Sequence, residues 1–216
     1  MLAQNPPPGR VNKHHARSEL TRQRIMNAAE PLFAGDGLVG VSMRQIAAAA
    51  DVDLSLVAYH FASKNNLYHA VLDRAVVMFS NLRGEMLDAL LARNPDPSIT
   101  DIFDVPITAW FNIYFRDDPC KARLLLTGIN LEHNPYGDKP WPSDPFVKHF
   151  IAAVQHCLPD EPLEGINWKY HLVMGSLIYC LNAPARVKRI SNNLCDADNP
   201  DEVRRVLLDM VSKLFA

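Results

Sequence analysis

The side chains best suited to chemistry in this chain are its eight histidines and four cysteines. One stretch, VAYHFASK (residues 57–64), gathers Tyr59, His60, Ser63 and Lys64 into a single run. A histidine in that setting can act as a general base, ligate a metal, donate to a phosphate or fill a core. Base catalysis needs a nucleophile or carboxylate partner, and no hydrolase motif such as G-x-S-x-G is present. Metal ligation from one helix needs partners three or four residues away, whereas His60 and His69 lie nine apart. Cys120, Cys157, Cys180 and Cys195 form no C-x-x-C pair. That pattern fits a reducing, cytoplasmic setting better than a disulfide scaffold or a zinc site. No catalytic residue, metal or cofactor is therefore expected, and the chain is not expected to be an enzyme. The rival from another class is a helical metal- or cofactor-dependent enzyme. For His60, a phosphate contact and a core position both remain open.

The elements that must position these residues read as helices. Between residues 18 and 33, Ile25, Ala28, Ala29, Leu32 and Phe33 recur at helical spacing. The glycines of GDGLVG (35–40) are expected to stop that helix. Ser42 is placed to cap a second helix, with Gln45 completing a capping box, and Met43, Ile46, Ala47 and Ala50 share one side. DVD (51–53) breaks it, and Asp53 is placed to cap a third, whose Val57 and Phe61 turn inward onto Ile46 and Leu32. Two short helices joined by a tight turn after a longer one form the helix-turn-helix pattern.

A long helix is expected from Lys64 to about Arg93, ended by NPDPS, followed by helices over 99–117, 119–132, 145–158, 165–190 and 201–215. Pro106 lies inside one of these, which is expected to start later or kink. Strand alternation and internal repeats are lacking, so the fold class is all-α. At 216 residues the chain can hold a small module plus a larger domain. No apolar run is long enough for a membrane helix, and the proline-rich, basic N-terminus has no signal-peptide core.

The net charge of −2 is unevenly spread. Residues 1–24 carry Arg10, Lys13, Arg17, Arg22 and Arg24 against Glu19 alone, a net +4, which leaves −6 for the rest. A basic arm on an acidic body points to nucleic acid or to a disordered solubilising tail.

Residues 21–74, through RIMNAAEPLFAGDGLVGVSMRQIAAAADVDLSLVAYHFASKNNLYHAVL, resemble the DNA-binding domain of the tetracycline-repressor-like (TetR) regulators. The resemblance rests on IMNAAEPLF, the glycine-bearing loop, SMRQIAAAA and YHF-x-SK in that order and spacing. It implies a basic arm over 1–17, a helix-turn-helix domain over 18–66 and a ligand-binding and dimerisation domain over 67–216. The third helix becomes the recognition helix, with Ser55, Leu56, Ala58, Tyr59 and His60 towards the major groove and its phosphates. Tyr59, His60 and Lys64 would then donate to phosphate oxygens, and Ser42 would present its hydroxyl and helix N-terminus to the backbone. Arg44 would grip guanine O6 and N7, while Leu56 and Ala58 would touch thymine methyls. Three positions depart from the pattern: Asp51, where a glycine is usual in the turn, Asp53, where the cap is often a neutral Ser, Thr or Asn, and Ala58, where a tyrosine is common.

Beyond residue 75 the resemblance is architectural. It implies a homodimer built by the last two long helices, which here carry Val203, Val206, Leu207, Met210, Val211 and Leu214, and Leu172, Gly175, Ser176, Ile178, Tyr179 and Leu181. It also implies a small-molecule effector, and the aromatic-rich AWFNIYF (109–115) suggests its place: Phe79, Phe103, Trp110, Phe111, Tyr114, Leu125, Phe150, Trp168 and Met174 could line an apolar cavity, with Tyr114, Asn130, His149 and His171 orienting a polar end. The effector class stays open between a fatty acid or acyl-thioester and an aromatic drug-like or catabolic compound. The expected function is a cytoplasmic repressor released from a double-stranded operator by its effector, with no membrane partner. A DNA-binding regulator without an effector is the alternative.

Overall fold

The computed structural model describes residues 9–129 and 139–216. Among them the chain is helical throughout, with no strand. It divides into two compact units, Met1–Leu72 and Asp73–Ala216. No helix among the described residues is long and apolar enough to cross a membrane.

The first unit holds helices α1 (Gly9–Gly40), α2 (Met43–Ala50), α3 (Leu54–Phe61) and the opening turns of α4 (Lys64–Arg93). The first helix starts earlier than its apolar periodicity begins, at Gly9 rather than Ser18, so residues 9–17 of the basic arm are helical. Its end also differs from expectation. The three glycines do not stop it together; the break is confined to Gly37, whose φ of 68° lies in the left-handed region that glycine tolerates. Ile25, Ala29 and Phe33 from α1, Ile46, Ala47 and Ala50 from α2, and Val57 and Phe61 from α3 are buried together. Leu67, Tyr68 and Val71 of α4 complete this core, with the Phe33 and Tyr68 rings edge to face at 5.1 Å. Burying each large apolar side chain contributes about 1.5–3 kcal/mol, which fixes the two short helices against α1 and the start of α4.

The second unit contains the rest of α4, then α5 (Ile99–Asn112), a π-helical turn (Ile113–Asp117), α6 (Pro119–Ile129), α7 (Asp144–Cys157), α8 (Leu163–Asn182), α9 (Pro184–Ile190) and α10 (Pro200–Leu214). Helix α10 packs on α5 and α8, and α7 packs on the same two. Pro106 neither delays nor ends α5, which begins at a Ser98–Asp101 capping box and carries the proline inside. The expected helix over 165–190 is two helices. Ala183 leaves helical geometry (φ −134°, ψ 44°) because Pro184 restricts the residue before it and opens α9. A chain of aromatic contacts runs through the unit: Phe103 to Phe150 at 5.0 Å, Phe150 to Phe146 at 5.9 Å and to Tyr170 at 5.2 Å, and Phe79 to Trp110 at 4.7 Å.

Candidate functional site

The capping box expected at the start of α2 is present. The Gln45 backbone N–H donates to the Ser42 hydroxyl (3.3 Å), and the Ser42 N–H donates to the Gln45 side-chain carbonyl (2.8 Å). This fixes the first turn of α2, from which Arg44 projects exposed, with no ion-pair partner among the described residues. Helix α3 sorts its residues by face. Val57 and Phe61 are buried, while Ser55, Leu56, Ala58 and Tyr59 are exposed, Tyr59 by 78%. His60 is half-buried, its ring 5.3 Å from that of Tyr59 and 6.3 Å from that of Phe61. No hydrogen bond engages it among the described residues.

Two residues behave differently from their sequence reading. Asp53 occupies the N-cap position of α3, but its carboxylate makes no capping bond; its backbone carbonyl accepts from the Leu56 N–H at 2.9 Å instead. Lys64 is not a free cation at the head of α4. Its ammonium donates to the Val41 carbonyl at 2.8 Å and lies 3.5 Å from that of Val39, tying α4 to the link between α1 and α2. The N-terminus of α4 is capped by Ser63, whose hydroxyl accepts from the Asn66 N–H at 3.1 Å.

Asp51, unexplained by sequence, has a structural account. It closes α2 in the left-handed conformation (φ 51°, ψ 55°), the geometry a glycine would otherwise supply. Arg24 of α1 locks that turn. Its Nε donates to the Ala50 carbonyl at 2.6 Å, and its terminal nitrogen donates to the Asp51 carbonyl and, at 3.0 Å, to the Asp51 carboxylate. The arginine therefore offsets the negative charge beside the candidate DNA face and fixes the angle between α2 and α3. Arg22 is used internally too, its guanidinium 4.8 Å above the Phe61 ring. Two of the five cations in residues 1–24 are thus partly committed to the fold.

In the second unit, Phe103, Trp110, Phe111, Leu125 and Phe150 are buried. Tyr114 donates its hydroxyl to the Leu181 carbonyl at 3.1 Å, so its polar end is already engaged. Met174 is half-buried on α8. Trp168 and His171 do not join the interior: both are exposed on α8, Trp168 by 65%. Asn130 lies outside the described residues. Two surface grooves of ≈330 Å³ each flank α5, and both include Asp104 and Thr108. Phe111 is the one predicted pocket residue that lines either of them. Arg204 pairs with Asp104 in a bidentate grip (2.6 and 2.5 Å), which raises the arginine's pKa and closes α10 onto α5.

The interior also holds a residue that sequence reading passed over. Arg83 of α4 is only 6% exposed, its guanidinium stacked between the rings of Phe79 (4.6 Å) and Phe146 (4.2 Å). The sequence carried a signal for this. Leu72, Phe79, Arg83, Leu87 and Leu90 follow helical spacing, so the arginine occupies a core register.

The last long helices leave apolar side chains uncovered in the single chain. Trp168, Leu172 and Tyr179 stand exposed on α8 at spacings of four and seven, and Val206 stands exposed on α10. Val203, Leu207 and Val211 are instead buried within the unit.

Comparison with known proteins covers both units. Residues 25–71 match the model of the tetR family of bacterial regulatory proteins, and residues 143–212 match the tetracycline-repressor-like C-terminal domain. A helix-turn-helix transcriptional regulator from Xanthobacter autotrophicus is 40% identical over 62 residues, which is 29% of this chain and 29% of that protein. The match thus spans under a third of that relative's length. A solved tetR-family structure from Mesorhizobium loti is similar over 92% of this chain and 96% of its own, with 16% identity and a TM-score of 0.63. The multidrug binding protein EbrR, solved with ethidium, is similar over 88% of this chain and 98% of its own, with 18% identity and a TM-score of 0.57. At those identities the structural likeness speaks to the fold.

Proposed function

Since the chain belongs to the TetR family of transcriptional regulators, we propose that it is a homodimeric repressor released from its operator by a small apolar or amphipathic effector. The observation that carries the reading is the sorting of α3. Two residues hold the helix in the core, and the remaining face is left uncovered beside the exposed Arg44 of α2. In this proposal Arg44 reads a guanine edge, and Ser55, Leu56 and Ala58 face bases in the major groove. Tyr59, His60 and Ser42 donate to phosphates. Lys64 acts by holding the α1–α2 link rather than as a primary phosphate contact.

The exposed apolar side chains on α8 and α10 support pairing of two chains, which would bring two recognition helices to half-sites about 34–36 Å apart. Helix α4 contributes residues to both units, which supports it as the element through which effector binding changes DNA affinity. An effector favours release only by its differential affinity for the two states. Footprinting of the purified protein on the DNA upstream of its own coding region tests the reading. Protection of two half-sites on one face of the duplex, lost on adding an apolar compound that also stabilises the protein, is the expected result. Stabilisation by such compounds with unchanged protection would contradict it.

A further inference from the structure

Among the described residues, Ser80 and Arg83 are the buried polar or charged side chains, and both lie within one turn of α4. Arg83 has no carboxylate partner there. Its Nε donates to the Phe79 carbonyl of its own helix over a long 3.4 Å. Phe79 and Phe146 cover the two faces of the guanidinium, and the Tyr170 hydroxyl meets its edge, but none of them supplies a negative charge at neutral pH. Burial pushes the Arg83 pKa down to about 10, with the Tyr170 hydroxyl pulling it back up, so the guanidinium is still protonated at neutral pH. A protonated group held out of water without an anion is costly unless something else supplies the counter-charge.

We infer that Arg83 and Tyr170 form the anion-recognising end of the effector site, and that the effector is an apolar molecule bearing a single carboxylate. The planar guanidinium presents parallel N–H donors that fit a carboxylate in a bidentate pair. The Tyr170 hydroxyl beside it, contributed by α8, can give a third bond to the same group. Charge matching selects carboxylate over phosphate. One buried guanidinium balances one negative charge, and no second buried cation stands among the described residues to balance a phosphate dianion. The rings of Phe79, Phe146, Phe150 and Trp110 around these two residues suit the apolar body of such a molecule. The inference rests on the reading of this unit as the effector-binding part.

The test is thermal unfolding of the full chain in sodium benzoate, sodium decanoate or sodium chloride at matched pH and ionic strength, with decan-1-ol as the uncharged control. Wild type is compared with Arg83→Met, Arg83→Lys and Tyr170→Phe. The expected result is a saturable rise of the wild-type midpoint with at least one carboxylate over chloride, and none of that size with decan-1-ol. Arg83→Met should weaken carboxylate binding about tenfold or more, as expected for a lost charge-assisted pair. Arg83→Lys should weaken it less, and Tyr170→Phe should weaken it several-fold. Should Arg83→Met fail to fold, the lysine and phenylalanine variants carry the same comparison. No response of the wild type to either carboxylate, or an equal response in wild type and the Arg83 variants, would overturn the inference and leave the Phe79–Arg83–Phe146 stack as internal packing. Operator binding is followed in the same samples. A carboxylate that binds through Arg83 but leaves the operator occupied supports the site and removes the effector-release reading. A wild type that binds no operator removes that reading without altering the carboxylate result.

Discussion

Asp51 and Arg24 show how one residue's role can depend on another far along the chain. A non-glycine residue in the left-handed region costs about 1–2 kcal/mol, and Asp51 adds a negative charge close to where phosphates are proposed to lie. Arg24 compensates on both counts by holding two successive carbonyls and the carboxylate. The ion pair itself contributes little, because the Asp51 side chain is fully exposed. The carbonyl bonds matter more, since they define the turn. Replacing Arg24 with Met should lower stability by about 1–2 kcal/mol, read as a shift in denaturant midpoint. Operator affinity should fall alongside it. Unchanged stability and affinity would mean that the turn holds itself.

Legibility at the residue scale follows sequence distance. The Ser42–Gln45 box was readable because both partners lie within one turn and the spacing is the signal. Arg24 and Lys64 were not, because their acceptors are backbone carbonyls 23 to 27 residues away, which no composition or periodicity encodes. The same limit hid the partner of Tyr114. Arg83 was legible in register but was overlooked because a charged residue reads as surface.

At the scale of elements, the turn between α3 and α4 is under strain. Ala62 sits at φ 59°, ψ −40°, and the Ser63 N–H bonds back to the Phe61 carbonyl at 2.6 Å, a γ-turn of the unfavoured hand. Such strain persists where the surroundings over-determine it; here the buried Phe61 on one side and the Ser63 cap of α4 on the other fix both ends. Ala62→Gly should relieve it and raise stability by roughly 0.5–1 kcal/mol after the extra chain entropy of glycine is counted. Calorimetric midpoints of the two proteins decide this, and a lower midpoint for the glycine variant would show that the turn is not strained. The helices themselves were largely legible, since apolar periodicity and proline or glycine punctuation mark most of them. The exceptions have physical causes. Apolar spacing continued across Ala183 and masked the break that Pro184 imposes. Helix α1 ran through Gly35 and broke only at Gly37, the one of the three loop glycines in a non-helical conformation, before ending at Gly40.

At the scale of the whole molecule, the account needs two chains. Trp168, Leu172 and Tyr179 line one face of α8 and Val206 stands exposed on α10, apolar side chains that a single chain leaves in water. Trp168 was read from sequence as lining an apolar cavity and His171 as orienting a polar end. Their exposure on α8 assigns them to the outer face instead. Trp168→Glu should shift the protein towards monomer in sedimentation velocity at micromolar concentration. Operator affinity should fall with it, since a monomer can engage one half-site only. A variant that remains dimeric would place the interface elsewhere.

The central claim is that the face bearing Arg44 and the exposed side of α3 reads DNA. Operator binding by wild type and Arg44→Ala, measured on the upstream DNA across a salt series, tests it most directly. The account predicts that log affinity of the wild type falls linearly with log salt, by about 0.9 of a slope unit per phosphate contact. Arg44→Ala should lose about 1–3 kcal/mol of discrimination against a substituted guanine while keeping most of that slope. Wild-type binding that is weak and blind to sequence, or an Arg44→Ala variant with unaltered preference, would contradict it.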